Sequence, residues 1–336
     1  MTVLRTVLVG CGRIGAGYAS DPVMARHYHY VSHAQVLAEH PAFTWIAAVD
    51  RNYDNAAAVA ARWHLPAAAT RLEDLPDRDN IDSAVLAVPP GERLAALDAL
   101  PGLRAVLVEK PLGATLAEAE SFAAACAARD ITVQVNLPRR CDATHRRLAE
   151  GGLARLIGAP QGATLVYGNG LANNGTHMID VARMLLGEVA AVGPAAEIAP
   201  RREGPIDGDV NVPFVMRMAS GIPVFALPVA FAHYRENAVD VWGEHGRIAL
   251  VQEGLRLLLH ARAENRAMQG ERELANDAPA AETTTIGISL RAVYDDLAEA
   301  ISGGHTPRSP IASALATARV VEAVHRAIRT AETVSP

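Results

Sequence analysis

Lysine is almost missing from this chain: of its 31 Lys and Arg residues, only Lys110 is lysine. Aromatic residues are scarce too, at 4%. The three cysteines, Cys11, Cys126 and Cys141, are scattered and lack metal-ligand spacing. That pattern excludes a disulfide framework and predicts a reduced, cytoplasmic protein. There is no excess of positive charge: the net charge is −6 and the pI about 6.1. A general nucleic-acid binder, which carries a basic stripe, is therefore excluded. No stretch of ~18 apolar residues and no basic-then-apolar leader is present, so neither a membrane span nor export is expected.

What is present is a long, half-hydrophobic chain. Its 336 residues imply two domains. Residues 1–137 alternate apolar runs with Ala-rich helical patterns. Val3–Val9, Phe43–Val49, Asp82–Val88, Ala105–Glu109 and Thr132–Leu137 read as strands buried on both faces. Val31–His40, Asn55–Trp63, Arg93–Leu100 and Leu116–Arg129 read as the helices between them. That alternation predicts a parallel sheet with right-handed crossovers.

Residues 138–336 read differently. Asp142–Glu150 and Gly175–Leu186 look like helices stopped by glycine. Val210–Met218, Ile222–Ala230, Ala238–Trp242 and Leu255–His260 follow as strands with tight turns between several of them. The polar stretch Glu264–Glu282 reads as a loop, and Leu290–Ile301 and Ile311–Thr330 as closing helices.

The first strand runs into Gly10-Cys11-Gly12-Arg13-Ile14-Gly15, a G-x-G-x-x-G at the start of a βαβ unit. The first glycine permits the tight turn, the second lets backbone approach a pyrophosphate, and the third allows close packing. A helix N-terminus is expected to receive the pyrophosphate. Asp50, closing the second strand, is placed to accept from ribose hydroxyls and repel a 2′-phosphate. It comes late because Ala16–His33 lengthens the first crossover. NAD is the expected cofactor; Arg51 beside Asp50 leaves NADP open. The fold class is then α/β: an N-terminal Rossmann doubly wound parallel sheet, plus a C-terminal α+β domain with an open, largely antiparallel sheet.

Lys110 ends an apolar strand, at the edge where open α/β sheets bind ligands. Glu109 and Lys110, adjacent on extended chain, point to opposite sides. Pro111 and the capping box Thr115-Leu116-Ala117-Glu118 hold the lysine on a short, stiff connection. Unlike arginine, lysine can release its proton in a protein.

Three motifs in order, the glycine motif, Glu109-Lys110-Pro111 and Gly175-Thr176-His177-Met178-Ile179-Asp180, resemble the Gfo/Idh/MocA oxidoreductases. Gly243-Glu244-His245-Gly246-Arg247-Ile248 is similar to a further strand motif of that family. The resemblance extends over almost the whole chain. It implies a Rossmann domain over residues 1–137 and a substrate-binding and oligomerisation domain over residues 138–336. It also implies an NAD(P)-dependent dehydrogenase or reductase for CH–OH groups of a sugar, polyol or nucleotide sugar. Lys110 and His177 would be catalytic, and the Lys110–Pro111 bond cis. Val88, Pro89 and Glu109 join Gly10, Gly12, Arg13, Ile14, Gly15, Asp50, Arg51 and Lys110 as expected cofactor contacts. Asn136, Tyr167, Asn173, Asn174 and Asp180 are expected on the substrate side, and no metal.

The sequence departs from the family twice. Asn173 stands where many members carry Asp, which puts the proton chemistry more firmly on Lys110 and His177 or implies a different sugar. Arg93 stands where many have His after Pro89-Pro90, and is read as adenosine-side packing without catalytic consequence. The cluster His27–His33 reads either as pocket lining or as an exposed loop and helix start. Arg139-Arg140 and Arg146-Arg147 read equally as diphosphate ligands or as a charged helix face. An open apolar sheet face predicts a homodimer or homotetramer. Two alternatives stay open: an NAD-dependent glycosidase that oxidises transiently, and a non-catalytic dinucleotide-binding sensor.

Overall fold

A six-stranded parallel sheet is built from β1 (Leu4–Val9), β2 (Phe43–Val49), β3 (Ala67–Ala69), β4 (Ser83–Leu86), β5 (Ala105–Val108) and β6 (Thr132–Val135). The computed structural model describes residues 3–195, 201, 204–275, 277–330 and 332–336. The strand order is β3-β2-β1-β4-β5-β6, so the winding direction reverses between β1 and β4. Side chains alternate between two cores. Val7 and Val9 of β1 and Val106 and Val108 of β5 face one side; Leu4, Leu8, Ala105 and Leu107 face the other. Burial on both faces is why these strands read as continuous apolar runs.

Four helices cross between these strands: α1 (His33–Glu39), α2 (Tyr53–Trp63), α3 (Arg93–Ala99) and α4 (Leu116–Ala128). The Thr115 side chain caps α4 by accepting from the Glu118 N–H. The Glu118 carboxylate reaches back to the Ala114 N–H, one residue short of the reciprocal capping-box bond.

Contacts divide the chain into two units, residues 1–141 with 287–315, and residues 142–286 with 316–336. The return of residues 287–315 to the first unit is not visible in the linear pattern. Leu290, Val293, Tyr294 and Leu297 of the later helix Ser289–Gly303 pack into the core beneath Leu4 and Leu8.

The second unit begins with α5 (Ala143–Arg147), α6 (Leu153–Ile157) and α7 (Thr176–Leu186). Gly151, with φ of 95°, breaks the helical path where its sequence implies: Glu150 and Gly151 leave helical φ/ψ, and after this kink the chain resumes as α6. The nine-stranded sheet comprises β7 (Pro160–Tyr167), β8 (Val189–Pro194), β9 (Phe214–Met218), β10 (Pro223–Pro228), β11 (Ala238–Gly243), β12 (Gly246–Val251), β13 (Arg256–Glu264), β14 (Arg272–Leu274) and β15 (Ala280–Thr283). Among the described residues, only β7 and β10 pair in parallel; the other pairings of this sheet are antiparallel. The stretch expected to be a loop, Glu264–Glu282, supplies β14 and most of β15.

Two further helices, α8 (Ser289–Gly303) and α9 (Ile311–Thr330), close the chain. One face of the large sheet packs on Met178, Ile179 and Ala182 of α7 and Val320, Ala323 and Val324 of α9. On β10, Val224 and Ala226 point to that core while Phe225 and Leu227 are exposed on the other face.

Candidate active site

In the first unit, a groove of about 310 Å³ opens at the carboxyl ends of β1, β2 and β4, where the winding reverses. Gly10, Gly12, Asp50, Arg51, Val88 and Pro89 line it, as do Asn55, Thr70 and Glu92, which no motif pointed to. Arg13, Ile14, Gly15, Glu109 and Lys110 are not among its lining residues.

The three glycines divide the work. Gly10 adopts φ of 95°, and a Cβ there would lie 2.5 Å from the Ala87 carbonyl oxygen. A Cβ on Gly15 would lie 2.0 Å from the Gly10 carbonyl oxygen, so the third glycine packs on the first. A Cβ on Gly12 would meet nothing within 4 Å. Gly12 therefore opens outward, where a dinucleotide backbone can approach. Gly12→Ala is expected to keep the thermal midpoint and weaken NADH binding in a fluorescence titration. Gly15→Ala is expected to cost about 2 kcal/mol of stability or more.

Asp50 fits a ribose. Its carboxylate accepts from the Cys11 N–H at 2.8 Å, the Asn52 N–H at 2.9 Å and the Asn55 amide at 3.3 Å. A carboxylate offers roughly four acceptor sites, so one remains for a hydroxyl. The Cys11 thiol nearby is pushed up to about 12 by burial, with the Asp50 charge adding to it, and stays a neutral thiol.

The helical path behind the glycine motif is short. The N–H groups of Ala16 and Gly17 donate to the Gly12 carbonyl and that of Tyr18 to the Arg13 carbonyl. A 3₁₀ turn over Gly17–Ser20 follows, and Asp21-Pro22 breaks the path. The helix α1 starts only at His33, and its first N–H groups, of His33 and Ala34, donate to the carbonyls of Ile14 and Gly15. The lengthened crossover thus braces the glycine loop through its carbonyls and leaves the turn that starts at Gly12 to meet a pyrophosphate. The Ser32 capping box fixes the start of α1.

Lys110 is half-buried just beyond β5, and the Lys110–Pro111 bond is cis. Glu109 beside it is only 8% exposed. Its Oε1 accepts from His33 Nε2 at 2.9 Å and from the Asn136 amide at 2.5 Å. Burial alone would raise the Glu109 carboxyl, but the His33 hydrogen bond and charge, then Lys110 and Asn136, hold it below the usual carboxylate range. Asn136 is 6% exposed and its Oδ1 has no hydrogen-bond partner, a buried acceptor of the kind a ligand amide or hydroxyl satisfies.

Arg93 also belongs to this edge, a role its sequence context does not disclose. It is 1% exposed, and its guanidinium donates to the Val88 carbonyl at 3.2 Å, the Pro111 carbonyl at 2.6 Å and the Leu112 carbonyl at 2.9 Å. The residue read as adenosine-side packing ties the loop after β4 to the turn that carries Lys110. Burial lowers Arg93 to about 10, so at neutral pH it remains a cation. A buried side chain with donors matched to backbone carbonyls leaves no sequence period to detect.

In the second unit, Asn173, Asn174 and His177 cluster on the wide turn Leu171–Gly175 and the first turn of α7. Asp209 caps this segment: its carboxylate accepts from the N–H groups of Ala172 and Asn173, each at 3.0 Å. Asn173 Nδ2 donates to the Asn169 carbonyl at 3.0 Å. Asn174 is buried and its Nδ2 has no hydrogen-bond partner. His177 is half-buried.

Two of the expected substrate contacts lie buried with partners inside the fold. Tyr167 is 1% exposed, and its hydroxyl donates to the Val212 carbonyl at 2.6 Å and accepts from the Val212 N–H at 3.0 Å. It continues the inward series Ala163, Leu165, Tyr167 of β7, a period of two that identifies it as core. Asp180 is 1% exposed, and its carboxylate faces Arg183 at 3.5 Å and the Thr317 hydroxyl at 3.4 Å, so it pins α7 to α9.

Of the arginines that divided between two readings, Arg147 pairs with Glu282 at 2.6 Å and Arg146 with Glu150 at 3.2 Å. Among the described residues, no group of three or more His, Cys, Asp or Glu is arranged to hold a metal ion. No described helix is long and apolar enough to cross a membrane.

A reversed-winding parallel sheet, an outward-opening glycine loop and an acid closing β2 define a dinucleotide-binding protein. The chain belongs to the Gfo/Idh/MocA family: its NAD-binding Rossmann domain matches over residues 4–137 and its C-terminal domain over residues 159–249. The cofactor is NAD. No curated protein sequence matches significantly. Solved structures share the fold across the full length. One is levoglucosan dehydrogenase in complex with NADH and levoglucosan, at 19% identity and TM-score 0.75, with 99% of each chain covered. Another is aldose-aldose oxidoreductase from Caulobacter crescentus complexed with glycerol, at 20% identity and TM-score 0.76, covering 99% of this chain and 100% of that one. A third is a super-repressor mutant of Gal80p from Saccharomyces cerevisiae, at 16% identity and TM-score 0.75, covering 99% and 98%.

Proposed function

We propose that the protein transfers a hydride between NAD and a secondary alcohol or ketone of a sugar, polyol or nucleotide sugar. The observation that carries this reading is Lys110: the only lysine of the chain, half-buried at the ligand edge of a parallel sheet, with Glu109 anchored behind it. The family and two structural neighbours, a levoglucosan dehydrogenase and an aldose-aldose oxidoreductase, support the substrate class. NAD, when bound, accepts or donates the hydride. The chain's residues do the rest.

In this reading the first unit holds the cofactor, with Gly12 giving clearance and Asp50 accepting from a ribose hydroxyl. Lys110 Nζ takes or returns the substrate hydroxyl proton, a role open to an amine and closed to a guanidinium. The second unit holds the substrate: Asn173 and Asn174 orient hydroxyls, and His177 is the second proton-handling group. An amide at 173 orients a hydroxyl but takes no proton. Phe225 and Leu227, exposed on the free face of the large sheet, suit self-association into a homodimer or homotetramer.

One competitor is a non-catalytic dinucleotide-binding regulator. The test is NADH formation from NAD with levoglucosan, D-glucose, D-xylose, myo-inositol and UDP-glucose. NADH accumulation with at least one of them is the expected result. If NAD binds and none of them reduces it, the enzyme reading fails and the regulator stands. Release of a glycoside aglycone without net NADH would assign the transient-oxidation glycosidase instead.

A further inference from the structure

Behind Lys110, four buried side chains form a line that hydride transfer alone does not call for. Tyr294 OH lies 2.8 Å from His33 Nδ1; His33 Nε2 lies 2.9 Å from Glu109 Oε1; Asn136 donates to the same oxygen. All four are buried within the first unit. An ionised carboxylate can only accept, so His33 Nε2 carries the hydrogen toward Glu109. In the neutral imidazole Nδ1 is then the acceptor for the Tyr294 hydroxyl. Burial, with the Glu109 charge adding, pushes that phenol well above its ordinary value, so it stays a neutral donor.

We propose that His33 is a positioning residue that governs Lys110 through Glu109: its N–H keeps the buried carboxylate ionised, and that fixed charge holds the adjacent ammonium. The inference rests on reading Lys110 as the proton-handling group and adds the residue that sets its charge state.

A carboxylate taken out of water takes up a proton unless donors stabilise it. Glu109 has two, and Asn136 alone is a neutral amide. Among the described residues, the charged and titratable groups facing Glu109 are His33 on α1, Tyr294 on α8, Lys110 on its own segment and Arg93 on α3. Arg93 is committed to the carbonyls of Val88, Pro111 and Leu112 and cannot replace His33. The backbone of His33 also donates to the Ile14 carbonyl, so one residue grips the glycine loop and the lysine's counter-charge together. The long crossover Ala16–His33 thereby acquires a purpose, because it delivers an imidazole beneath the end of β5.

The single lysine makes the test direct. Reductive methylation with isotope-labelled formaldehyde places one dimethyl-lysine NMR signal on the chain, apart from that of the terminal α-amine. Its pH titration reads Lys110 without any substrate. His33→Phe and Glu109→Gln are each expected to lower the midpoint by about one pH unit. The double variant should shift no further than Glu109→Gln alone. His33→Gln, which retains an N–H donor, should recover most of the shift. An unchanged midpoint in a folded His33→Phe, or two shifts that simply add, overturns the proposal. Should His33→Phe fail to fold, Tyr294→Phe decides: a smaller shift in the same direction supports the chain, and no shift there overturns it. A Lys110→Arg enzyme that turns over normally would remove the catalytic reading while leaving this titration intact, so the two failures are separable.

Discussion

Lys110→Arg is expected to lose about a hundredfold or more in turnover while NADH affinity stays near wild type. The guanidinium keeps the positive charge and its reach toward the cofactor, but it does not release a proton at any ordinary pH. The variant thus separates charge from proton transfer. The check pairs the steady-state rate, on whichever sugar of the panel reduces NAD, with NADH fluorescence titration. Near wild-type turnover in Lys110→Arg would sink the proton-transfer reading. For His177→Ala, the same pair of measurements should show a loss in turnover larger than any change in NADH binding.

Arg93→Leu is expected to cost about 3 kcal/mol of stability or more in denaturant unfolding. Leucine fills part of the volume but leaves the carbonyls of Val88, Pro111 and Leu112 buried without their donor. Each such acceptor costs on the order of 1 kcal/mol or more. Two of the three belong to the turn that carries Lys110, so turnover should fall along with stability. Arg93→Lys supplies one ammonium for a forked donor and should recover only part of either. A variant as stable as the parent would show that these carbonyls find water or other donors.

The parallel sheet and its cofactor groove were legible because they depend on local rules. Two-sided burial leaves continuous apolar runs, and Gly10, Gly12 and Gly15 answer to backbone geometry at fixed spacing. Asp50 follows from its place after a strand. What escaped was set by tertiary contact. Arg93 looks like any surface arginine until three carbonyls converge on it. His33 reads as a helix start, and its partners Glu109 and Tyr294 lie 76 and 261 residues away in sequence. Tyr167 looked polar because Gly168, Asn169 and Gly170 follow it; the inward period of β7 decides otherwise. Asp180 sits three residues from His177, but Arg183 and Thr317 hold its carboxylate.

The return of residues 287–315 to the first unit carries a consequence for how the chain is made. By residue 135 the ribosome has released all six strands of the parallel sheet. One face of that sheet still lacks Leu290, Val293, Tyr294 and Leu297, so Leu4, Leu8 and Phe43 are covered only in part, by residues such as Val36, Leu37 and Val59. The dinucleotide-binding unit therefore completes its core only after the whole of residues 142–286 has emerged. It is the first region to be synthesised, yet its core waits for residues made close to the end of the chain.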